Sequence, residues 1–480
     1  MELIESAYRL GEFHAVEAAG RRFVYLVPAG AIFEIDDAAQ LLLDSVGEGA
    51  THAALFERLA AHGMNAGSAE ELIGEMHAAR AIVSGDLAPE PLANPPGDFP
   101  LQTLVMNLTN QCNLSCQYCY EFGEDKVATP EGKPKFMDLD TAKASVDFLL
   151  EQSAGRRAVH ITFFGGETLM NFPLLKNVVG YANEKAAAER RSIDFSLTTN
   201  ATLLTPAIIE FLSDNRIGVT VSMDGPAELH DQLRVFANGR GSYDIIAPRV
   251  RALIANHRTR PITARVTLTR GVTDVLKIFR HLKQDLGFHE VGFAPVTTSP
   301  DRLYAINDRG MDGVLDQFHA LAGEWLEYAL RGEMHGFSNV SDTVAELCQG
   351  VNKSHPCGAA LGLMGVGPSG DIAPCHRFVD SDTHALGHVS RGIDRQKQHD
   401  FLSRGHINTK YDCHTCWARP LCAGGCHHEA FVRYGDTGHP NLHYCDWIRD
   451  WTETCLKIYC EVSARNPDFL KKFAERKAIS

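Results

Sequence analysis

Three cysteines lie close together in the first third of the chain, at a spacing that suits metal chemistry. Cys112, Cys116 and Cys119 form a CxxxCxxC loop directly after a short apolar run. Three thiolates on one loop can bind three irons of a [4Fe-4S] cluster and leave the fourth iron open to an exogenous ligand. A structural zinc site would want a fourth protein ligand, and none is obvious nearby. The loop therefore predicts an open iron-sulfur cluster.

A glycine pair and a carboxylate follow the next predicted strand. Gly165, Gly166 and Glu167 come directly after an apolar run that ends at Phe164. Glycines allow the backbone to approach another group closely, and a carboxylate can pair with an ammonium group. A glycine pair alone is typical of an ordinary turn. We predict a binding site here because the glycine pair and Glu167 lie one strand after the cysteines.

The order and spacing of these two motifs resemble the radical S-adenosylmethionine (SAM) superfamily. In that family the cysteines hold a [4Fe-4S] cluster and the Gly-Gly-Glu motif binds the amino group of SAM. The resemblance assigns the other SAM contacts to residues near the strand ends: Tyr118 to the adenine, Thr199 or Asn200 to the ribose, and Ser222 with Arg234 to the carboxylate. Polar residues at strand ends are also common as caps and turns, so that alternative stays open for each of them.

The C-terminal part of the chain holds ten of the thirteen cysteines, from Cys348 to Cys460. Their spacing resembles the seven-cysteine SPASM domain of radical SAM peptide maturases, which carries two auxiliary [4Fe-4S] clusters. The resemblance implies two groups of ligands: Cys357, Cys375 and Cys426 (set I), and Cys413, Cys416, Cys422 and Cys445 (set II). Cys348 is the predicted fourth ligand of set I. A zinc ribbon is the alternative for this region.

Apolar strands and amphipathic helices alternate from residue 101 onward. Six alternations predict a parallel sheet whose ligand sites lie at the C-terminal strand ends. The predicted strands are 103–108, 159–164, 193–198, 218–222, 263–268 and 290–295. The predicted fold class is α/β, a partial (β/α)6 radical SAM barrel with a winged-helix-like α+β module before it and a cysteine-rich SPASM domain after it.

Domain boundaries follow from changes in composition. Five prolines mark a linker, and the segments are 1–86 (peptide-recognition module), 87–100 (Pro-rich linker), 101–310 (barrel), 311–347 (helical connector) and 348–480 (SPASM domain). Within the first segment the pattern predicts strands at 22–27 and 31–35 and helices at 38–46, 53–62 and 69–83. The last segment is poor in long periodic stretches, so we expect metal sites to hold it together.

Composition and charge argue against several partners. The net charge is -14, with Lys and Arg scattered, which disfavours nucleic acid and anionic lipid. The N-terminus has no basic segment followed by an apolar run, and no stretch approaches the roughly 20 apolar residues that span a bilayer. We therefore expect a cytoplasmic protein without a nucleic-acid or membrane partner, whose cysteines remain thiols.

Among SPASM proteins, the chain is most similar to the maturation enzymes of quinohemoprotein amine dehydrogenase. The similarity lies in the length, the opening module, the linker and the Tyr-Glu-Phe-Gly-Glu sequence after Cys119. Those enzymes form sulfur-to-carbon thioether crosslinks between Cys and Asp or Glu side chains of a small-subunit precursor. The resemblance implies three [4Fe-4S] clusters, SAM, a protein or peptide precursor and a reducing donor such as flavodoxin or ferredoxin.

Two residues are candidates for acid or base chemistry, and they bear on the alternatives. Asp224 lies in an Asp-Gly turn, where a carboxylate is more often structural. Sulfatase maturases carry an Asp after the second SPASM cysteine as a proposed base, whereas this chain has His376 after Cys375, which disfavours sulfatase maturation.

Sactipeptide and carbon-carbon crosslinking of ribosomal peptides stay open. An iron-sulfur electron carrier would explain the cysteines but has no need of the Gly-Gly-Glu motif.

Overall fold

The computed structural model describes residues 7–47, 49–84 and 99–474, and it begins with a small α+β module. Its elements are β1 (Tyr8–Leu10), β2 (Phe13–Ala18), β3 (Arg21–Leu26), β4 (Ala31–Ile35), α1 (Asp37–Val46), α2 (His52–Ala61), α3 (Ala66–Ala78) and β5 (Ile82–Ser84). Strands β2, β3 and β4 form an antiparallel sheet, and β1 pairs with β5. The three helices share one apolar core with the sheets.

The module differs from its predicted pattern in one helix and three strands. The helix expected over 69–83 ends at Ala78, because Arg80 adopts the left-handed conformation (φ 62°), which a right-handed helix does not accept. The chain then turns into β5. Strands β1, β2 and β5 were not predicted, and most of the linker expected over 87–100 lies outside the described residues.

Six parallel strands and their connecting helices follow. They are β6 (Thr103–Asn107), α4 (Leu139–Gln152), β7 (Ala158–Phe164), α5 (Phe172–Ala188), β8 (Ser192–Thr199), α6 (Pro206–Asp214), β9 (Gly218–Ser222), α7 (Ala227–His230), α8 (Tyr243–Asn256), β10 (Ile262–Leu268), α9 (Val275–Arg280) and β11 (Glu290–Pro295). The strands lie side by side in chain order, each parallel to the next. All six predicted strands are confirmed, with ends that differ by at most one residue.

The C-terminal region continues the same sheet. Its elements are α10 (Asp308–Leu330), α11 (Ser338–Cys348), β12 (Leu363–Val366), β13 (Asp371–Ala373), β14 (Gly387–His388), β15 (Gly392–Ile393), α12 (Arg395–Gly405), α13 (Arg419–Cys422), α14 (His427–Tyr434), α15 (Cys445–Arg465) and α16 (Pro467–Ala474). Strand β12 pairs in parallel with β6, and β13, β14 and β15 extend the sheet in antiparallel fashion. The cysteine-rich region is therefore joined to the barrel by strand pairing.

Apolar packing also holds this region in place. The region was expected to be poor in long periodic stretches, but its helix α15 has 21 residues. The rings of Trp447 and Trp451 lie 5.4 and 5.1 Å from the ring of Phe318 in α10. On another side, Leu456 and Cys460 share a buried cluster with residues of β2 and β3, so α15 also docks the N-terminal module. None of the described helices is both long and apolar enough to cross a bilayer.

Candidate active site

The cysteine loop begins after β6 and is held against the end of β7 by its backbone. Gly166 N donates to Thr109 O at 3.0 Å, and Glu167 N donates to Gln111 O at 2.9 Å. A Cβ atom at Gly165 would lie 2.3 Å from Thr109 O, and one at Gly166 would lie 2.2 Å from Gln111 O. Only glycine permits this approach, so the glycine pair positions the cysteine loop.

The thiols of this loop are partly buried and receive hydrogen bonds. Leu114 N donates to Cys112 Sγ at 3.4 Å, and Asn200 Nδ2 donates to the same sulfur at 3.7 Å. Burial raises the pKa of Cys112 and of Cys119 to about 12. The bare thiols are therefore protonated at neutral pH, and bound iron would be needed to hold them as thiolates.

Glu167 is buried where β7 and β8 end. Its Oε1 accepts hydrogen bonds from Thr199 Oγ1 at 2.7 Å and Leu169 N at 3.1 Å, and its Oε2 accepts one from Asn200 N at 2.7 Å. Burial raises the pKa of the carboxyl group. A carboxylate has about four lone-pair sites, so these bonds leave capacity for one further donor, such as the predicted ammonium group.

Asp224 lies just after β9 and is surrounded by donors. Arg234 Nε and Tyr118 OH donate to Oδ2 at 2.7 and 2.5 Å, and Thr267 N donates to Oδ1 at 2.9 Å. The Arg234 guanidinium lies 5.3 Å from the centre of the Tyr118 ring. These contacts favour a structural role for Asp224 over the predicted acid or base role, because both oxygens already hold other groups in place.

The residues predicted to contact SAM share one edge of the sheet, at the C-terminal ends of the strands, which we call the SAM edge. Asn200 follows β8, and its Nδ2 donates to Asn113 Oδ1 at 3.0 Å, in the cysteine loop. Ser222 ends β9 and is half-buried. The structure thus brings together the loop and the residues predicted to contact SAM: Tyr118, Gly165, Gly166, Glu167, Thr199, Asn200, Ser222 and Arg234. Their contacts with SAM itself stay predictions.

The set I cysteines, Cys357, Cys375 and Cys426, are near enough for the thiol of one to raise the pKa of another. The pKa of Cys375 is raised to about 12, first by burial and then by the neighbouring thiols of Cys357 and Cys426. The pKa of Cys357 is raised to about 11, again by burial first and then by Cys426. The three ligands predicted for auxiliary cluster I therefore come from separate segments and meet at one place.

The set II cysteines form a second group. The pKa of Cys413 is raised to about 11, first by burial and then by its neighbours Cys422, Cys445 and Cys416, while Lys410 lowers it. Among the described residues, no three His, Cys, Asp or Glu side chains converge on the position of a single metal ion.

Cys348 does not join set I. It ends α11, where its Sγ lies 3.9 Å from Leu470 O in α16, and burial raises its pKa to about 11 without a contribution from another cysteine. The expectation that Cys348 is the fourth ligand is not supported by this placement. Cys455 and Cys460 are buried in α15 among apolar side chains, as expected for thiols without a metal role.

His376 reaches the SAM edge from the cysteine-rich region. Its ring lies 4.6 Å from the ring of Phe164, which directly precedes the glycine pair, and 5.9 Å from that of Tyr120. Burial, helped by the neighbouring Arg377 charge, lowers the pKa of His376 to about 3. The imidazole is therefore neutral, which favours hydrogen bonding over proton storage for this predicted catalytic residue.

Two arginines near this position were not predicted. Arg377 follows His376, and Arg265 lies on β10. Partial desolvation, and then the charge of Arg377, lower the pKa of Arg265, although this residue is exposed to solvent. A charged residue at the centre of an otherwise uncharged strand was the sequence signal that could have pointed to Arg265.

Comparisons with known proteins agree with this geometry. Residues 106–285 match the model of the Radical SAM superfamily. The matched segment contains the cysteine loop, the glycine pair and Glu167, and the protein is a radical SAM enzyme.

Similar proteins cover most of the chain. A serine-type anaerobic sulfatase-maturating enzyme of Bacteroides thetaiotaomicron is 26% identical over 368 residues, which are 72% of this chain and 86% of that protein. The structure of native anSMEcpe with bound AdoMet and the Cp18Cys peptide has a TM-score of 0.64 at 20% identity, covering 76% of this chain and 99% of that one. Streptococcus suis SuiB bound to precursor peptide SuiA has a TM-score of 0.51 at 16% identity, covering 92% and 98%.

Gly166→Ala tests the close approach of the two loops. The added methyl group would displace the cysteine loop, so we expect loss of most of the iron bound by Cys112, Cys116 and Cys119 and of SAM binding. Gly180→Ala is the matched control, because a Cβ there meets no atom within 4 Å inside α5 and should stabilise the helix by about 0.5–1 kcal/mol. Iron analysis and equilibrium dialysis with SAM measure both variants; normal values for Gly166→Ala would contradict the account.

Cluster content tests the cysteine groups. Anaerobically reconstituted protein should hold three [4Fe-4S] clusters, and joint replacement of Cys112, Cys116 and Cys119 by Ala should remove one. Because Cys348 lies outside set I, Cys348→Ala should keep the full iron content, whereas Cys375→Ala should lose one cluster. Iron and sulfide analysis with Mössbauer spectroscopy gives the counts. Stoichiometric zinc, or one cluster in the unmodified protein, would refute the assignment.

Proposed function

We propose that this radical SAM enzyme is a peptide or protein maturase that forms thioether crosslinks between Cys sulfur and the side-chain carbon of Asp or Glu. We further propose the small subunit of quinohemoprotein amine dehydrogenase as the precursor. The observation that carries the proposal is the presence of two further cysteine groups, set I and set II, with His376, which follows Cys375 of set I, in ring contact with Phe164. The similarity in length, opening module and sequence after Cys119 supports the particular precursor.

The cofactors supply the radical chemistry, and the chain supplies the positions. When bound, SAM and its cluster would provide the 5′-deoxyadenosyl radical, which removes a hydrogen atom from the methylene of the acidic residue. The auxiliary clusters would accept the electron that is left over when sulfur bonds to that carbon. Gly165 and Gly166 hold the cysteine loop against β7. Glu167 fixes the ends of β7 and β8. We propose that His376, as a neutral imidazole, accepts a hydrogen bond from the substrate thiol, and that the thiol proton is released to solvent as the sulfur bonds to carbon.

The N-terminal module is proposed to recognise the precursor. Strand β4 pairs only with β3 among the described residues, so its other edge can receive an extended segment by β-augmentation. Phe33 on this strand is 48% exposed and offers an apolar contact. The module packs on α15 through β2 and β3, and Ile32 of β4 packs against the same cluster.

Sulfatase maturation is the second candidate function, favoured by the relatives that bear this name and by the anSMEcpe structures. Against it stands His376 at the position where the sulfatase maturases carry their proposed Asp base. Those relatives are named for the maturation of sulfatases, so the two candidates differ in the substrate that they modify.

An anaerobic assay with both kinds of substrate separates the candidates. With SAM and reductant, we expect the amine dehydrogenase precursor to lose two hydrogen atoms per crosslink, with the bond mapped to a Cys and an Asp or Glu by tandem mass spectrometry. A sulfatase peptide should stay unchanged. The triple Ala variant of Cys112, Cys116 and Cys119 is the control for cluster-dependent chemistry. Modification of the sulfatase peptide without any crosslink in the precursor would favour the second candidate.

A further inference from the structure

The segment that carries three of the four set II cysteines has little regular structure of its own. Cys413, Cys416 and Cys422 lie within residues 413–422, which we call the set II loop and whose one α-helix is the four-residue α13. The fourth cysteine, Cys445, lies in a separate segment, at the start of the long helix α15. Four thiols can share one cluster only if the loop and α15 are held in a fixed relation to each other.

The N-terminal module contacts the set II loop on both sides of Cys416. The ring of His14, on β2, stacks on the ring of Trp417, with centroids 3.8 Å apart and planes 6° from parallel. Trp417 directly follows Cys416 in the chain. Glu12, just before β2, forms an ion pair with Arg419, and Arg419 Nη1 donates to the carbonyl oxygen of Cys416 at 3.2 Å. Both contacts therefore restrict the backbone around this cysteine.

The same strand also contacts α15, which begins with Cys445. His14 pairs through its Nε2 with Glu453 of α15. At the end of the strand, Ala19 N donates to Glu461 Oε1 at 2.5 Å. The face of the His14 ring thus contacts the set II loop, while its ring nitrogen contacts α15. Strand β2 therefore bridges the two segments that together carry all four set II cysteines.

Apolar burial joins the same three parts. Leu421, which directly precedes Cys422, and Leu456 of α15 share one buried cluster with the module, and Trp417 packs against it. The module contributes five buried side chains to this cluster: Val16, Ala18, Phe23, Tyr25 and Val27. Burial of apolar surface is the main favourable term in such contacts. Docking of the module therefore restricts the set II loop as well as α15.

We propose that the N-terminal module is part of the site for the set II cluster. Glu12 and His14 are positioning residues that hold the set II loop against α15, so that the four cysteines retain their cluster. This inference goes beyond the precursor recognition proposed for the module and needs only the assignment of set II to a cluster. The competing explanation is that the same contacts dock the module without affecting how set II holds iron.

Release of iron to a chelator tests the proposal on the anaerobically reconstituted full chain, without precursor or SAM. The double variant Glu12→Ala/His14→Ala removes both polar contacts with the set II loop. We expect one of the three clusters to lose its iron about tenfold faster, as for loss of an aromatic stack and a charged hydrogen bond. Glu34→Ala is the matched control, because it breaks the ion pair of Glu34 with Arg21 between β4 and β3 and should leave every rate unchanged.

A background that lacks set II shows which cluster responds. With Cys413→Ala and Cys422→Ala already present, Glu12→Ala/His14→Ala should not change the release of the remaining iron. His14→Ala alone should accelerate release, and His14→Phe, which keeps a stacked ring, should release iron more slowly than His14→Ala. Unchanged release in His14→Ala and in the double variant would overturn the proposal. Equal acceleration in the background without set II would also overturn it, because the effect would then be a general loss of stability.

Discussion

The close backbone contact between the glycine pair after β7 and the cysteine loop after β6 is the constraint on which the site depends. Thr109 O and Gln111 O occupy the space that side chains at Gly165 and Gly166 would need. The same contact places Glu167, which then bonds to Thr199 and Asn200 at the end of β8. Asn200 in turn donates a hydrogen bond from its side chain to Asn113 in the cysteine loop. Three strand ends and one loop are thereby fixed relative to one another before any cofactor binds.

A second constraint joins this site to the auxiliary cysteines. Because β12 pairs with β6, the cysteine-rich region is part of the barrel sheet and is not connected to it by the chain alone. Gly365 on β12 lies so close to Cys375 that a Cβ there would be 2.7 Å from its carbonyl carbon. This proximity fixes Cys375 and the following His376 and Arg377 opposite Phe164 and Tyr120. The separation between the cysteine loop and Cys375 is therefore set by strand pairing.

The sequence predicted the barrel strands closely because each is a short apolar run between helices, a signal contained in the strand itself. The cysteine groups were predictable for a different reason, since their spacing is a family pattern. Features that depend on distant partners were not predictable. Asp224 became an anchor because Arg234, Tyr118 and Thr267 meet it in space. Cys348 was assigned by its position along the chain, but α11 directs it toward α16. Helix α15 was missed because its many Cys, Trp and charged residues obscure its apolar face.

The central claim is that the loop of Cys112, Cys116 and Cys119 holds a cluster with an open iron that SAM occupies. Titration of SAM into the anaerobically reduced protein, followed by EPR of that cluster, tests it most directly. A protein that retains these three cysteines but has Ala in place of the set I and set II cysteines isolates the signal. The account predicts that SAM changes the EPR spectrum of the reduced cluster and that 5′-deoxyadenosine is released. A cluster whose spectrum is unchanged by saturating SAM, with no 5′-deoxyadenosine formed by the unmodified protein, would contradict it.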